Sequence, residues 1–233
     1  MPHLDRTLIA GLPHFQGLAG EDLDRVLAGA RSSRYPKDSA VFEQEGEAES
    51  FFLLLSGHIR VVRTSPDGDQ IIARYINEGE LFGIAVTMGR TTYPASAIAA
   101  VDCVVLAWPN AEWPELQARF PAFGASAYQT LGSRLQETQS RVMEMSTEQV
   151  EQRIAHCILR LVNQSGRKTP DGIEIDFPIT RQDIADMTGT TLHTVSRTMS
   201  AWEGDGLVHS GRQKVTVTDP HGLMLIAENR RKS

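Results

Sequence analysis

Residues 178–208, with the sequence PITRQDIADMTGTTLHTVSRTMSAWEGDGLV, carry the signals that decide the C-terminal fold. Thr180 followed by Asp183 predicts a capped helix start, because side-chain oxygens satisfy backbone N–H groups that the first turn leaves unpaired. Gly189 predicts the end of that helix, since glycine adopts a positive φ at little cost. Thr191 caps a second helix. The spacing therefore predicts two short helices joined by a tight turn, a helix-turn-helix.

The two predicted helices have an apolar inner side and a polar outer side. The inner side comprises Ile184, Ala185, Met187, Leu192, Val195, Met199 and Trp202. On the outer side His193, Ser196 and Arg197 are spaced at i, i+3 and i+4, so they share one surface. Hydrogen-bonding side chains grouped in this way predict base reading in a DNA groove. The alternative is a helical hairpin with an ordinary polar face.

A wing is predicted after the second helix, at residues 207–219. The sequence LVHSGRQKVTVTD favours two strands joined around Ser210-Gly211, with Arg212 and Lys214 placed to touch phosphates. The residues predicted to contact the DNA backbone are Thr180, Gln182, Thr191, Thr194, Arg212 and Lys214.

The negative charge of the chain is unevenly distributed. The net charge is −6, and residues 1–146 contain 12 Lys and Arg against 18 Asp and Glu, whereas residues 147–233 contain 11 of each. A neutral C-terminal part with a modest basic bias can approach phosphates while the acidic part repels them. The charge pattern therefore agrees with double-stranded DNA as a partner of the C-terminal part.

The composition is that of an ordinary globular protein, with 41% hydrophobic and 22% charged residues among 233. We expect a cytoplasmic protein without a membrane partner, because no apolar run approaches the roughly 20 residues that cross a bilayer. The start of the chain also lacks a basic region followed by an apolar core. Cys103 and Cys157 lie in apolar stretches, which predicts buried, reduced thiols.

Residues 33–108 alternate in the manner of β-strands. Short runs rich in β-branched and aromatic residues are SAVFE, SFFLLLSG, HIRVVRTS, QIIARYI, ASAIAA and DCVVLAW. Asp67-Gly68 predicts a hairpin turn between two of them. The close spacing predicts an antiparallel β-roll, that is, a double-stranded β-helix or jelly roll, within an α+β fold. Such a roll either holds a small ligand or packs only its own side chains.

Residues 111–145 predict a long helix with one apolar seam. Steps of three and four residues separate Phe123, Ala127, Leu131, Leu135, Thr138, Val142 and Met145. This period predicts a parallel coiled coil between two subunits, and the alternative is a helix that lies on its own roll. Pro121 and Gly124 would bend or break the start of the helix.

A hinge is predicted where the long helix ends. Ser146 with Gln149 predicts a capping box that begins the next helix. The apolar face of that helix comprises Val150, Ile154, Cys157, Ile158, Leu161 and Val162. The predicted domains are a sensor roll at 1–110, a dimerisation helix at 111–146 and a winged helix-turn-helix domain at 147–233.

Taken together, these features resemble the CRP/FNR superfamily of bacterial transcription regulators over essentially the whole chain. The resemblance rests on the roll, the Gly79-Glu80-Leu81-Phe82-Gly83 turn, the long helix and the stretch RQDIADMTGTTLHTVSR. It implies a homodimer on an inverted-repeat operator, a signal received at the roll, and RNA polymerase as a partner if the protein is an activator.

The resemblance places the three base-reading positions of the family on His193, Ser196 and Arg197. The common FNR-like pattern is E-x-x-S-R, and this chain has H-x-x-S-R. Arg197 suits a bidentate contact to guanine O6 and N7. His193 can donate or accept a hydrogen bond, so the base opposite it is left open.

The effector is where the resemblance gives several alternatives. In cyclic-nucleotide-binding members the Gly-Glu-Leu turn holds the ribose, and an Arg followed by a small residue neutralises the phosphate. Here Pro94-Ala95 falls at the Arg position, and Arg90 is too far along the chain to replace it. A buried, unpaired phosphate costs several kcal/mol, so cyclic AMP is disfavoured. The predicted effector pocket comprises Gly79, Glu80, Leu81, Phe82, Tyr93 and Pro94.

Two metal-based signals remain to be weighed. An FNR-type iron–sulfur cluster needs thiolates near the N-terminus, and no cysteine precedes Cys103, so no cluster is expected. The stretch FGIAVTMGRTTYPASA with H-x-x-S-R resembles the nitric-oxide-responsive Nnr/DNR-type branch, which is thought to use haem. His14 is a candidate axial ligand, with His58 and His156 as others, and each is equally explained as an ordinary hydrogen-bonded histidine. The sequence therefore leaves the identity of the cofactor undetermined, with haem as one candidate.

An enzyme is not expected. A catalytic cupin binds metal through a His-x-His pair with Glu and a further His, and the roll segment contains His58 alone. The chain has no Gly-rich phosphate loop, nucleophile elbow or H-E-x-x-H. Alternating glutamates at 43–49 indicate a solvated face, so no catalytic residue and no metal site is predicted. A ligand-binding module without DNA contact is the remaining alternative.

Overall fold

The computed structural model of the protein describes residues 9–16 and 18–230. They divide into two compact units. The first unit comprises the chain up to residue 63 together with residues 75–137, and the second comprises residues 64–74 together with the chain from residue 138 onward. The α+β fold that the sequence predicts is confirmed, with an antiparallel roll, a long helix and a C-terminal helix-turn-helix.

Two four-stranded antiparallel sheets form the roll. Their strands are β1 (Arg31–Tyr35), β2 (Ala40–Phe42), β3 (Ser50–Ser56), β4 (Ile59–Thr64), β5 (Gln70–Ile76), β6 (Leu81–Phe82), β7 (Ser96–Ala99) and β8 (Cys103–Pro109). The strand orders are β1-β8-β3-β6 and β2-β7-β4-β5. Central β3 pairs with β8 in the register Leu53↔Leu106, and its residues 51–54 are all buried, because both faces of the strand are covered.

The strands that the sequence predicts are present, and the Asp67-Gly68 hairpin is confirmed. Gly68 has φ 91°, and the Ser65 N–H donates to the Asp69 carbonyl at 2.8 Å. β1 and β6 were not predicted. The sequence of β1, RSSRY, has no apolar alternation, and β6 has only two residues. These strands are therefore defined by pairing with β8 and β3 rather than by local pattern.

The roll is accompanied by the α-helices α1 (Gly20–Ala28), α2 (Trp113–Arg119) and α3 (Pro121–Thr147). The predicted break near Pro121 lies at Phe120, whose φ of −124° and ψ of 74° leave the helical region. Pro121 begins α3, where a missing N–H costs nothing. Gly124 lies within α3 and does not interrupt it, so this part of the prediction is wrong.

The predicted seam on α3 needs one correction, at Ala127. Ala127, like Phe123, is fully buried in the core of the first unit, because the start of α3 packs on α2 and the roll. Leu131 is partly buried against the same core. Leu135 and Val142 are each 60% exposed and Met145 is 51% exposed, so the exposed part of the seam runs from Leu135 to Met145.

The second unit contains the C-terminal elements. They are α4 (Val150–Ser165), β9 (Gly166–Thr169), β10 (Gly172–Ile175), α5 (Arg181–Thr188), α6 (Leu192–Gly204), β11 (Val208–Gly211), β12 (Lys214–Val217) and α7 (Pro220–Ala227). The sheet order is β11-β12-β10-β9. β9 has no apolar alternation in its sequence GRKT, and it is defined by the pairing of residues 166–169 with β10.

Two local predictions in this unit lie two or three residues too early in the chain. The helix start near residue 146 is capped by Gln149 with Gln152, not by Ser146, whose hydroxyl donates to the Val142 carbonyl inside α3. The wing turn is Arg212-Gln213, not Ser210-Gly211, since Gly211 still pairs with Lys214 and Gln213 takes the positive φ of 60°.

None of the helices that the structure describes is both long and apolar enough to cross a lipid bilayer. Both cysteines are free and buried, as the sequence predicts.

Candidate nucleic-acid interface and Gly79 turn

The turn between α5 and α6 has the geometry that its sequence predicts. The Thr180 hydroxyl accepts from the Asp183 N–H at 3.0 Å, while the Asp183 carboxylate accepts from the Thr180 N–H at 2.7 Å. Gly189 ends α5 in the left-handed region at φ 61°. The Thr191 hydroxyl accepts from the Thr194 N–H and caps α6. Both helix starts and the turn are therefore fixed by local hydrogen bonds.

The inner face of α6 anchors it in the second unit. Val195, Met199 and Trp202 are all fully buried, and the indole N–H of Trp202 donates to the Glu151 carboxylate at 3.0 Å. Leu192, predicted on this face, is instead 45% exposed. It is the first residue of α6 and lies beyond the part of the helix that packs inward.

The outer face of α6 presents the predicted base-reading residues. His193 and Arg197 are exposed and Ser196 is half-buried. Neither His193 nor Arg197 hydrogen-bonds or pairs with any residue that the structure describes. A rigid helix thus carries one guanidinium, one imidazole and one hydroxyl outward, and these groups are the donors and acceptors that read base edges.

Arginines from neighbouring helices hold the end of α5. Arg153 donates to the Thr188 carbonyl at 3.3 Å and to the Glu148 carbonyl at 3.0 Å. Arg141 donates to the carbonyls of Met187 and Ala73. These guanidinium groups satisfy carbonyls that the last helical turn leaves unpaired. Arg141 and Arg153 were not predicted as positioning residues, because partners so far apart in the sequence give no local pattern.

The wing is joined to the helix-turn-helix by Arg181. Its guanidinium donates to the Ser210 hydroxyl at 2.8 Å and pairs with Glu203 at 3.4 Å. The Ser210 N–H and hydroxyl both donate to the same Glu203 carboxylate. This cluster connects the start of α5, the end of α6 and β11, and it fixes the wing relative to α6.

The residues predicted to contact phosphates differ in their availability. Arg212 is exposed at the tip of the wing. The Thr180 hydroxyl already donates to Asp183 at 2.7 Å, and the Gln182 amide donates to Asp186 at 2.6 Å. The hydroxyls of Thr191 and Thr194 lie 3.0 Å from each other.

Lys214, also predicted to contact a phosphate, has a carboxylate beside it. Its ammonium lies 3.5 Å from Glu174, which Arg167 contacts at 2.7 Å. The hydrogen bond from Arg167 is the main cause that lowers the pKa of Glu174. Glu174 therefore stays ionised and competes with phosphate for Lys214.

The residues predicted to line an effector pocket separate into two groups. Leu81, Phe82 and Tyr93 are at most 4% exposed and lie in the two apolar cores, so their side chains fill the roll rather than line an open site. Gly79, Glu80 and Pro94 are partly exposed. We name Gly79-Glu80-Leu81 the Gly79 turn. The Glu80 carboxylate accepts from both the backbone and the side-chain N–H of Asn77, each at 3.1 Å.

Aromatic rings occupy the interior beside this turn. Phe42 stacks on Tyr93 with ring centroids 3.8 Å apart, and Phe52 stacks on Phe82 at 5.1 Å. The Tyr93 hydroxyl donates to the Ser50 carbonyl at 2.7 Å, and burial raises its pKa. Neither the ring nor the hydroxyl of Tyr93 offers a cation for an anionic ligand.

His14, a candidate haem ligand, is 8% exposed. Its Nδ1 lies 2.8 Å from the Ser126 hydroxyl. Axial ligation of haem through this nitrogen would require His14 to leave that contact. His58 lies 3.1 Å from the Asn77 side chain, and His156 lies 3.4 Å from Glu148. Each of the three histidines is thus hydrogen-bonded or paired.

Sequence comparisons match both units. Residues 152–226 match the Crp-like helix-turn-helix domain, and residues 32–120 match the cyclic nucleotide-binding domain. The chain is 30% identical over 217 residues to the cyclic AMP receptor protein of Thermus thermophilus, covering 93% of this chain and 97% of that protein. The chain belongs to the CRP/FNR family of transcription regulators. A global nitrogen regulator of Synechocystis is 25% identical to this chain, over an alignment that covers 81% of this chain and 85% of that protein.

Solved structures of CRP/FNR regulators share the fold. FixK2 from Bradyrhizobium japonicum has a TM-score of 0.75 at 20% identity, covering 84% of this chain and 96% of that one. A CooA variant from Carboxydothermus hydrogenoformans has a TM-score of 0.74 at 22% identity, covering 91% and 92%. At these identities the likeness establishes the architecture alone. This CRP/FNR chain is a DNA-binding transcription regulator and not an enzyme, as its sequence predicts.

Proposed function

We propose that this regulator binds an inverted-repeat operator as a homodimer and that a signal received at the roll controls it. The observation that supports the proposal is the outward set of His193, Ser196 and Arg197 on a helix with a fully buried inner face. Two such helices in a symmetric dimer would lie about 34 Å apart, one turn of DNA. A signal would shift α3. The hinge between the end of α3 and the start of α4, at residues 148–149, would then reorient the two helix-turn-helix domains of the dimer between a DNA-binding and a non-binding arrangement.

Operator selection from random double-stranded DNA tests the base-reading set. The full chain should enrich an inverted repeat, with TTG-like half-sites by family analogy, and Arg197→Ala should lose about 1–3 kcal/mol of discrimination at one base pair. The matched control is Arg119→Ala, an exposed arginine of the first unit, which should keep the parent preference. If Arg197→Ala prefers the operator as strongly as the parent does, the assigned base contact is wrong.

The dimer is proposed on the exposed part of the α3 seam. Leu131, Leu135, Thr138, Val142 and Met145 follow steps of four, three, four and three residues. The large apolar side chains of Leu135 and Val142 are each 60% exposed, and that of Met145 is 51% exposed. Leu135→Asp should give monomers in analytical sedimentation, whereas Gln136→Asp on the neighbouring exposed face should stay dimeric. Dimers that persist in Leu135→Asp would place the interface elsewhere.

For the signal, two candidates are weighed. A relative named for cyclic AMP supports a nucleotide, but Pro94-Ala95 provides no cation for its phosphate. The Nnr/DNR-like resemblance supports nitric oxide through haem, with His14 displaced from Ser126. An absorption spectrum of the purified chain with and without haem and nitric oxide separates them: a Soret band that shifts supports haem, and its absence removes that candidate.

The remaining assignments follow from this function. We propose a sensor roll at residues 1–110, a dimerisation helix at 111–146 and a winged head at 147–233. Because its operator would lie in chromosomal DNA, the protein would act in the cytoplasm, and RNA polymerase would be a partner if it activates transcription.

A further inference from the structure

The segment Leu12–Phe15 covers the Gly79 turn. A Cβ added to Gly79, whose φ is 81°, would stand 2.9 Å from Leu12 Cδ2, so the segment lies directly on the turn. Phe15 is 2% exposed and its ring centroid is 5.7 Å from that of Phe123 on α3. One short stretch of chain therefore touches both the turn and the long helix.

His14 is the polar link within this segment. Its Nδ1 lies 2.8 Å from the Ser126 hydroxyl, which in turn donates to the Phe123 carbonyl at 2.8 Å. The ring also lies near the Gly79 backbone, whose influence raises the pKa of His14 against the effect of burial. A buried imidazole that is bonded to α3, in a segment that packs on the Gly79 turn, has few positions open to it, so a movement of either element acts on the other.

Two charged groups face His14 from the elements packed against it. Glu80 faces it from the turn and Arg134 faces it from α3, where the Arg134 guanidinium also donates to the Leu81 carbonyl. Burial lowers the pKa of His14, with Glu80 acting against that shift and Arg134 adding to it. His14 is accordingly neutral at pH 7, and protonation would place a second cation beside Arg134.

We propose that His14 is a positioning residue that couples the Gly79 turn to α3 at Ser126. The inference rests on the proposed function, in which a signal at the roll reaches the heads through α3. A ligand that moves Glu80 would move the Gly79 backbone, and His14 carries that displacement to Ser126 on the first half of α3.

Hydrogen–deuterium exchange of the full chain tests this coupling without knowledge of the ligand. His14→Leu fills the space without the hydrogen bond to Ser126, and it should lower protection of residues 77–82 and 123–131 together. Ser126→Ala should affect the same two segments. His14→Gln, which can donate and accept across the same gap, should restore protection. The matched control is His58→Gln, whose parent ring lies 3.1 Å from the Asn77 side chain beside the same turn, and in this variant residues 123–131 should stay protected.

A pH series separates coupling from simple packing. The lowered pKa of His14 means that the neutral form is favoured in the folded chain, so protection is complete above the ordinary value of about 6.5 and falls as the pH drops below it. Protection factors of both segments should therefore decrease between pH 7.5 and 5.5 in the parent chain. In His14→Gln they should not. A merely structural His14 would loosen the N-terminal segment alone.

Operator binding completes the test. On a selected operator, His14→Leu should change the Kd roughly 2- to 30-fold, the range expected for a coupling residue, whereas His58→Gln should not. If exchange of residues 77–82 and 123–131 does not depend on His14, the coupling is refuted even where the parent binds DNA. If the parent selects no operator, the proposed function fails, and the exchange result stands by itself.

Discussion

The candidate recognition residues of the two units differ in whether their side chains already have hydrogen-bond partners within the protein. In the roll, Tyr93, Glu80 and His14 are already hydrogen-bonded to protein groups, and stacked rings fill the interior beside them. On α6, His193 and Arg197 extend outward with no bond to a described residue, while the opposite face is fully buried.

This difference separates two kinds of recognition. A rigid surface reads DNA with side chains that hold no other partner, so binding costs little rearrangement of the protein. A filled interior has to exchange internal contacts for contacts to a ligand, and that exchange is what a sensor can report.

The largest expected effect concerns the buried face that makes α6 rigid. Trp202→Ala removes a fully buried indole and its hydrogen bond to Glu151, and it should destabilise the second unit by about 3–5 kcal/mol in urea unfolding. Met224→Ala, at a residue 44% exposed, is the control and should change stability by at most about 0.5 kcal/mol. A loss below about 1 kcal/mol in Trp202→Ala would mean that the head is not held by this core.

A smaller effect is expected at the turn between α5 and α6. Gly189→Ala places a Cβ at φ 61° and against the end of Met145, and it should cost about 1–2 kcal/mol. Thermal unfolding of both variants measures this cost. Gly204→Ala, where nothing lies within 4 Å of the added Cβ, should be neutral or stabilising in that assay. Equal effects of the two substitutions would show that the turn carries no special conformation.

The wing provides a contrast on a finer scale. Arg212 is exposed at the tip, whereas Lys214 is 3.5 Å from Glu174. Arg212→Ala should therefore reduce the slope of log K against log salt by about 1, and Lys214→Ala should reduce it less. Titrating operator binding at several salt concentrations measures both slopes. A larger change for Lys214 would mean that Glu174 releases it on DNA.

The smallest expected effect is on the rates at which a disulfide reagent labels the two cysteine thiols. Burial raises the pKa of Cys157 to about 11 and also raises that of Cys103, so both thiols should react slowly with a disulfide reagent at pH 8. Cys103→Ser and Cys157→Ser leave one reporter in each unit. If the roll exchanges internal contacts as we propose, Cys103 should become labelled faster than Cys157 at equal denaturant. The reverse order would contradict the contrast between the units.

The parts that the sequence predicted are those specified by neighbours in the chain. Thr180, Gly189 and Thr191 act within one helical turn, so their capping roles are confirmed. The short runs of apolar and β-branched residues that predict β3 and β8 are likewise local, whereas β1 depends on a partner about seventy residues away. The wing turn lies two residues later than predicted, because both Ser210-Gly211 and Arg212-Gln213 can supply a turn and the pairing of Gly211 with Lys214 selects the second.

The site was less predictable where its residues depend on distant contacts. Ala127 continues the α3 stripe in sequence, yet the packing of the first unit buries it. Tyr93 and Phe82 occur in the expected stretches, but whether they line a pocket or fill it depends on Phe42 and Phe52 from other strands. Arg141, Arg153 and Arg181 hold carbonyls and carboxylates far along the chain, and no spacing rule identifies them.

The bonds of Arg141 also bear on how this regulator can be recombined with others. Residues 64–74 are encoded inside the roll, yet they belong to the same compact unit as the DNA-reading head, and Arg141 donates to Ala73 there. A chimaera that grafts a foreign head after residue 137 would leave that hairpin tip facing unfamiliar side chains. Transplanting residues 64–74 together with the DNA-binding part would keep the Arg141 guanidinium and its acceptor, the Ala73 carbonyl, in the same protein.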